Sequence, residues 1–388
     1  MSEIIKYVDR VGTDCSKWDS MDARFGDNDL MALWVADMDF VVPECVREAA
    51  VKYAEFGVYG YYKVPAGYHQ AFIDWEKNTH GTTVEKDWIR FAPGVVSPIY
   101  WYVNMKTQPG DAVIVMKPVY YPFLNAINDN GRKLVSSDLV NNNGVWTVDY
   151  ADFEKQIVEN NVKLFILCSP HNPVGRVWKR EELEKMLEIC RKHNVFVVAD
   201  EIHHDLIMPG HEHTDILTIP GYTDMLVAVT AGSKTFNLAG CQNSFVLIPD
   251  EKLRKEYDDF TSTIRLKGGN AFGYVAVEAA FKGGREWLDQ VIAIIDDNAK
   301  YVETELKAHL PKVVVAPLEG TYLQWVDLGA YVEQGKMKEL IQDKCRLAVD
   351  YGDWFGGEKY AGFVRLNLAT SKENIQEAVK RIIENIEK

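Results

Sequence analysis

The chain has 388 residues, 47% hydrophobic and 26% charged, the proportions of a folded globular protein of about two or three domains, which exclude disorder, collagen and a disulfide scaffold. Its 43 lysines and arginines against 57 aspartates and glutamates give a formal charge of −14, which repels a nucleic-acid backbone but leaves room for a small anion held by a few local donors. Six cysteines lie far apart without CxxC spacing, residues 1–14 lack the apolar run of a signal peptide, and no stretch approaches the roughly 18 apolar residues of a membrane span; the expectation is a cytoplasmic protein with reduced thiols and no membrane partner.

In chain order, the first 40 or so residues are irregular and rich in aromatic and acidic side chains, ending in Trp34-Val-Ala-Asp-Met-Asp-Phe40. They read as an arm that packs across a small domain or a second subunit. From residue 92 onward, short apolar runs alternate with helical spacing. Helices are expected at 98–105 and 181–193, and strands at 112–116, 163–167, 195–199, 225–230 and 244–248. Strands that are apolar on both faces are covered by helices on both sides, so the fold class is α/β with a mostly parallel sheet. After Gly283-Gly284 the pattern changes to a long helix at 286–309, strands at 313–316, 322–326 and 363–367, and a last helix at 372–386, a smaller α+β unit. The domains expected are an arm over 1–45, a large domain over 46–285 and a small domain over 286–388.

Ligands of parallel α/β sheets bind beyond the carboxyl ends of the strands. Three such ends carry polar groups: Ser169-Pro-His-Asn-Pro-Val-Gly175, Asp200-Glu-Ile-His203 and Ala231-Gly-Ser-Lys234. A lysine, a carboxylate and an amide converging on one edge meet the needs of pyridoxal 5'-phosphate: an amine to attach it, an acid for its ring nitrogen and a donor for its phenolate oxygen. Gly94-Val-Val-Ser97 precedes a helix, so its N–H groups and Ser97 suit a phosphate.

Asn172-Pro-Val-Gly175, Asp200-Glu-Ile-His203, Ser233-Lys234 and Phe363-Val-Arg365-Leu-Asn367, in this order over nearly the whole chain, resemble the fold-type I, class I/II aminotransferases. Trp34–Phe40, Tyr59-Gly-Tyr61, Pro118-Val-Tyr-Tyr121 and Ser233-Lys-Thr-Phe-Asn237 are most similar to the cystathionine β-lyase-like carbon–sulfur lyases of that superfamily. The resemblance implies the fold-type I architecture of these pyridoxal phosphate enzymes. It makes Lys234 the cofactor-attaching lysine and general base, Asp200 the partner of the ring nitrogen, Asn172 the donor to the phenolate oxygen and Tyr120 the ring stacked on the cofactor. His203 takes a place near the phenolate oxygen where many aminotransferases have tyrosine. Tyr61 reaches the phosphate of a neighbouring subunit's site and so implies a homodimer with shared active sites, and Arg365 clamps the substrate carboxylate. Aspartate-type members have a serine three residues before the lysine and an arginine eight after it; here these are Ala231 and Gln242, so phosphate anchoring falls to Val95, Val96 and Ser233.

The activity implied is β-elimination from L-cystathionine or another cysteine S-conjugate, giving thiol, pyruvate and ammonia, with transamination of an L-amino acid as the alternative. No second basic residue for a distal substrate carboxylate stands out. The competing reading is a metal site in Asp200-Glu-Ile-His203-His204-Asp205 and His211-Glu-His213, but neither HExxH nor finger spacing is present, and His211-Glu-His213 is expected to be solvated. An interaction or regulatory role for a cofactor-bearing protein is a third reading.

Overall fold

A computed structural model describes residues 5–266 and 268–386. Seven strands build the main sheet: β1 (Ile89–Ala92), β2 (Ala112–Val115), β3 (Lys133–Ser136), β4 (Leu164–Cys168), β5 (Phe196–Asp200), β6 (Leu226–Thr230) and β7 (Ser244–Leu247). Their order across the sheet is β1-β7-β6-β5-β4-β2-β3. All run parallel except β7, which is antiparallel to both of its neighbours.

The strands are apolar throughout because both faces are covered. Side chains alternate across a strand, so Leu226 and Ala228 of β6 enter one hydrophobic cluster while Val227 and Val229 enter another. Ile99, Tyr102 and Val103 of helix Val96–Lys106 cover the second face, whereas Leu183, Met186 and Leu187 of helix Arg180–Lys192 cover the first. Helix Ala271–Gly283 packs on Glu44–Phe56 and Tyr68–His80.

A second, antiparallel sheet contains β8 (Val314–Val315), β9 (Leu323–Asp327), β10 (Asp350–Tyr351) and β11 (Phe363–Asn367), ordered β8-β9-β11-β10. Helices Arg285–His309 and Lys372–Ile386 pack against each other beside it. The expected strands and long helices are present with ends shifted by one or two residues. The helix expected at 98–105 starts earlier, at Val96, with Pro98 inside its first turn. β1, β3 and the hairpin Val140–Asn142/Val145–Thr147 are additions to the sequence reading.

The arm packs on its own chain: after two short helices, Ser16–Asp19 and Met21–Phe25, Met31–Ala32 pairs in parallel with Leu347–Ala348. Its fixed point is Lys17, whose fully buried ammonium lies 2.8 Å from the equally buried Asp39 and 3.9 Å from Asp37. Arg10 bonds Asp37 at 2.8 Å, and the Trp18 indole N–H donates to Asp39 at 3.0 Å. Removing one partner of a buried pair strands the other charge. Lys17→Met is therefore expected to lower stability by about 3 kcal/mol, read as a lower urea midpoint that Asp39→Asn added to it partly restores. An unchanged midpoint in the single variant would refute this account of the arm.

Candidate active site

The parallel strands deliver their polar ends to one place. The chain passes from β4 into the turn carrying Asn172, β5 ends on Asp200, β6 leads into the helical turn Gly232–Thr235 that carries Lys234, and β2 leads past Pro118 to Tyr120. After β1, Gly94 adopts φ 115°, a conformation open to glycine, and turns the chain into helix Val96–Lys106. Lys234, Asp200, Asn172, Tyr120 and His203 line a single cavity of about 290 Å³, together with Val95, Val96 and Ser233. Ser97 is in the same wall, and so is Gln242 at the place of the family arginine.

Burial sets the proton balance of this cavity. It is the largest influence on Lys234 and brings its pKa down from 10.5 to about 8; Asp37 and Asp200 pull it upward, and Arg365 pushes it further down. The Lys234 ammonium donates to the Ala36 carbonyl at 2.5 Å, which also accepts the Tyr322 hydroxyl at 2.7 Å. Asp200 moves the other way: burial raises its carboxyl to about 7, opposed by the Ile202 N–H at 3.1 Å and by Lys234. Burial also keeps the His203 imidazole neutral and holds the Tyr120 phenol protonated.

Several groups in the wall lack partners within the protein. The buried His203 Nδ1 and Asn243 Nδ2 have none. Asn172 accepts from Arg365 through its Oδ1 at 3.0 Å, so its Nδ2 remains to donate. Buried polar groups in proteins usually have partners, and this set, beside a helix N-terminus at Val95 and Val96, suits an aromatic ligand bearing a ring nitrogen, an oxyanion and a phosphate. Pyridoxal phosphate fits that description.

Two residues of the sequence reading lie outside the cavity wall. Arg365 is buried behind it, bonded to Asn172, to the Trp34 carbonyl at 2.9 Å and to Asp350, while its Nε has no partner. Tyr61 is fully exposed and does not line the cavity of its own chain. The sequence reading missed Asp350, although an aspartate following Leu347-Ala-Val349 in an apolar run is a signal. It also missed the Ala36 carbonyl, for which no side-chain signal exists.

The histidine-rich stretch divides. His204 forms a separate buried network: its Nδ1 meets the Glu201 carbonyl at 2.7 Å and Thr230 at 2.8 Å, and its Nε2 meets Glu76 at 3.1 Å. Asp205 accepts from Trp75 at 2.8 Å and Thr235 at 2.7 Å and pairs with His80 at 2.8 Å, bracing the turn that carries Lys234. Metal-capable atoms of Glu76, His80 and His204 lie within 4.8 Å of one another, and these hydrogen bonds occupy them. His213 corrects an expectation: its side chain is only 2% exposed and lies 3.2 Å from Glu201. Glu201 also accepts the Ile216 N–H at 3.0 Å, which draws the loop inward; His211 and Glu212 remain exposed.

The sequence profile of the family described as aminotransferase class I and II matches residues 28–382. The chain belongs to that family. Among its relatives in the class I and II aminotransferases, the cystathionine beta-lyase PatB of Bacillus subtilis is 39% identical over 381 residues, 97% of this chain and 98% of the relative. Cystalysin of Treponema denticola, solved with pyridoxal 5'-phosphate, superposes with a TM-score of 0.94 at 35% identity, covering 100% of this chain and 99% of that one. The pyridoxal phosphate-bound C–S lyase of Staphylococcus hominis gives 0.92 at 29% identity, covering 99% and 97%. The fold is thus that of the fold-type I enzymes.

A lysine attacks an aldehyde as the neutral amine. Capture of pyridoxal phosphate by the apoprotein, followed by visible absorbance, is expected to speed up as pH rises through about 8. A midpoint near the 10.5 of an ordinary lysine would refute the buried amine.

Proposed function

We propose that the protein is a pyridoxal phosphate-dependent carbon–sulfur β-lyase that cleaves L-cystathionine or other cysteine S-conjugates to a thiol, pyruvate and ammonia. The observation that carries this reading is the cavity that buried Lys234 and Asp200 share with the unpartnered His203 Nδ1 and Asn243 Nδ2, in a chain 39% identical to a cystathionine beta-lyase. When bound, the cofactor supplies an electron-withdrawing ring that takes up the electron pair left at the substrate Cα.

The chain's own residues do the rest. Lys234 accepts the Cα proton, and a pKa of about 8 leaves a useful neutral fraction near physiological pH. Asp200 keeps a proton at the ring nitrogen, because a cation placed against this buried carboxyl favours its ionised form. Asn172 would donate to the phenolate oxygen with His203 nearby, and Tyr120 would pack on the ring. Arg365 directs the substrate carboxylate and is itself oriented by Asn172, Trp34 and Asp350. The β-carbon then releases the thiolate, and water completes the conversion to pyruvate and ammonia. Val95, Val96 and Ser233 receive the phosphate.

The same reading divides the chain into an arm over 1–45, a cofactor-binding domain over 46–285 and a small domain over 286–388. It places the enzyme in the cytoplasm, where six unpaired cysteines persist; no described helix is long and apolar enough to cross a membrane. Purified holoenzyme given L-cystathionine is expected to release pyruvate and thiol in equal amounts, and Lys234→Ala to lose at least about a thousandfold in rate. Keto-acid exchange without thiol release would instead make it an aminotransferase.

The reading includes a homodimer in which Tyr61 serves the partner's phosphate. Val58, Tyr59, Tyr61 and Tyr62 are exposed beside Phe56 and Phe272, and Tyr59 and Tyr53 contact Phe272 at 5.5 and 4.9 Å. These exposed apolar side chains support an interface there. Sedimentation is expected to give a dimer, with Tyr61→Phe weakening cofactor retention; a fully active monomer would overturn the shared site.

A further inference from the structure

Arg24 lies on the short helix Met21–Phe25 of the arm and, among the described residues, makes no hydrogen bond or ion pair. Its guanidinium carbon lies over Trp354, 3.8 Å from the ring centroid, and 5.3 Å from the centroid of Tyr121. The position is held from below. Phe25 is buried, meets Trp34 edge-on at 5.3 Å and Trp354 at 6.1 Å, and its carbonyl accepts from Gln342 at 3.0 Å. A guanidinium stacked on an aromatic face keeps its N–H donors pointing outward along the rim, ready for a planar anion.

The location relates this cation to the wall of the cofactor cavity. Tyr121 follows the cavity-lining Tyr120, its ring 5.4 Å away. Arg365 lies 5.0 Å over Phe355, Phe355 meets Tyr121 at 5.7 Å, and Tyr121 lies beneath Arg24. The two arginines thus stand at the ends of one run of contacting groups, in which Phe355 meets Tyr121 edge-on. The charge of Arg24 is felt at both Tyr121 and Asp350. Beside it opens a recess of about 300 Å³, lined also by Asp353, Lys338 and Trp354; neither Asp353 nor Lys338 bonds to Arg24.

We propose that Arg24 binds a carboxylate at the far end of the sulfur substituent, so that the enzyme favours thioethers whose leaving arm is anionic. Arg365 orients the α-carboxylate, and Arg24 reads the other end of the molecule. The inference rests on the lyase reading and supplies the second basic residue that a substrate of the L-cystathionine type requires. The shared chemistry is an anionic arm, offered either by the amino-acid end of L-cystathionine or by a simple carboxyalkyl group.

The test compares wild-type holoenzyme with Arg24→Gln and Arg24→Lys on L-cystathionine, S-(2-carboxyethyl)-L-cysteine and S-methyl-L-cysteine. In Arg24→Gln, kcat/KM for the anionic substrates relative to S-methyl-L-cysteine is expected to fall about tenfold, carried by KM, the scale of one charge-assisted hydrogen-bonded contact. Arg24→Lys restores part of the ratio, and added salt erodes the wild-type ratio more than the variant's. A loss shared by both anionic substrates assigns the contact to the carboxylate alone, and one confined to L-cystathionine assigns it to the amino-acid end; both support Arg24. An unchanged ratio, or an equal loss on all three substrates, overturns it. Titrations of the visible absorbance measure the same binding ratio without turnover. If no substrate releases thiol, the lyase reading falls while these titrations still decide the role of Arg24.

Discussion

The backbone of residues 34–40 is held as a strap between the two sheets, and the active-site geometry depends on that restraint. Its carbonyls are captured one after another: Trp34 by Arg365, Val35 and Asp37 by Asn367, Ala36 by Lys234 and Tyr322, and Met38 and Phe40 by Asn237. Lys234 and Asn237 follow β6 of the large sheet, whereas Arg365 and Asn367 belong to β11 of the small one. A buried carbonyl without a donor is costly, so each capture is also a positional constraint. The Lys17–Asp39 pair fixes the arm that feeds this strap, which explains a fully buried lysine so far in sequence from Lys234.

Within this frame, desolvation drives Lys234 and Asp200 in opposite directions, the amine toward neutrality and the carboxyl toward protonation. Both shifts prepare the groups for a charged, aromatic guest. On the proposed reading, a protonated pyridine nitrogen would replace water as the stabilising partner of the Asp200 carboxylate, and a neutral Lys234 would serve as nucleophile and base. One physical cause, removal of solvent from the ends of parallel strands, thus prepares both halves of the chemistry.

The elements legible in the sequence were those with a strict period and a polar stop. β4, β5 and β6 are apolar runs ending near Asn172, Asp200 and Lys234, so the rule that ligands sit at carboxyl ends placed these three residues together before any coordinates. The direction of β7 was not legible, because an antiparallel strand buried on both faces has the same composition as a parallel one. The stretch 231–243 that reverses the chain is also the one that presents Lys234. The Ala36 carbonyl was invisible because backbone atoms leave no trace in residue type. His213 was misread since flanking glycine and proline signal a loop without saying whether it folds inward onto Glu201. Arg24 leaves no signal in the sequence, because Trp354, over which it lies, is distant in the chain.

Asn172 joins two events that the chemistry must keep in step. Its oxygen is bound by Arg365 and its nitrogen faces the cavity, and the two ends of an amide share one electron system: drawing density toward the oxygen makes the N–H more acidic and a better donor. On the proposed reading, a substrate carboxylate arriving at Arg365 would change the pull on that oxygen and therefore the strength of the donor on the opposite side. In that reading the amide would act as a short polarisable link between the site of the amino acid's head group and the ring that is to receive its electrons. An amine without the carboxylate would then be disadvantaged twice, in affinity and in the electronic preparation of the site it has entered.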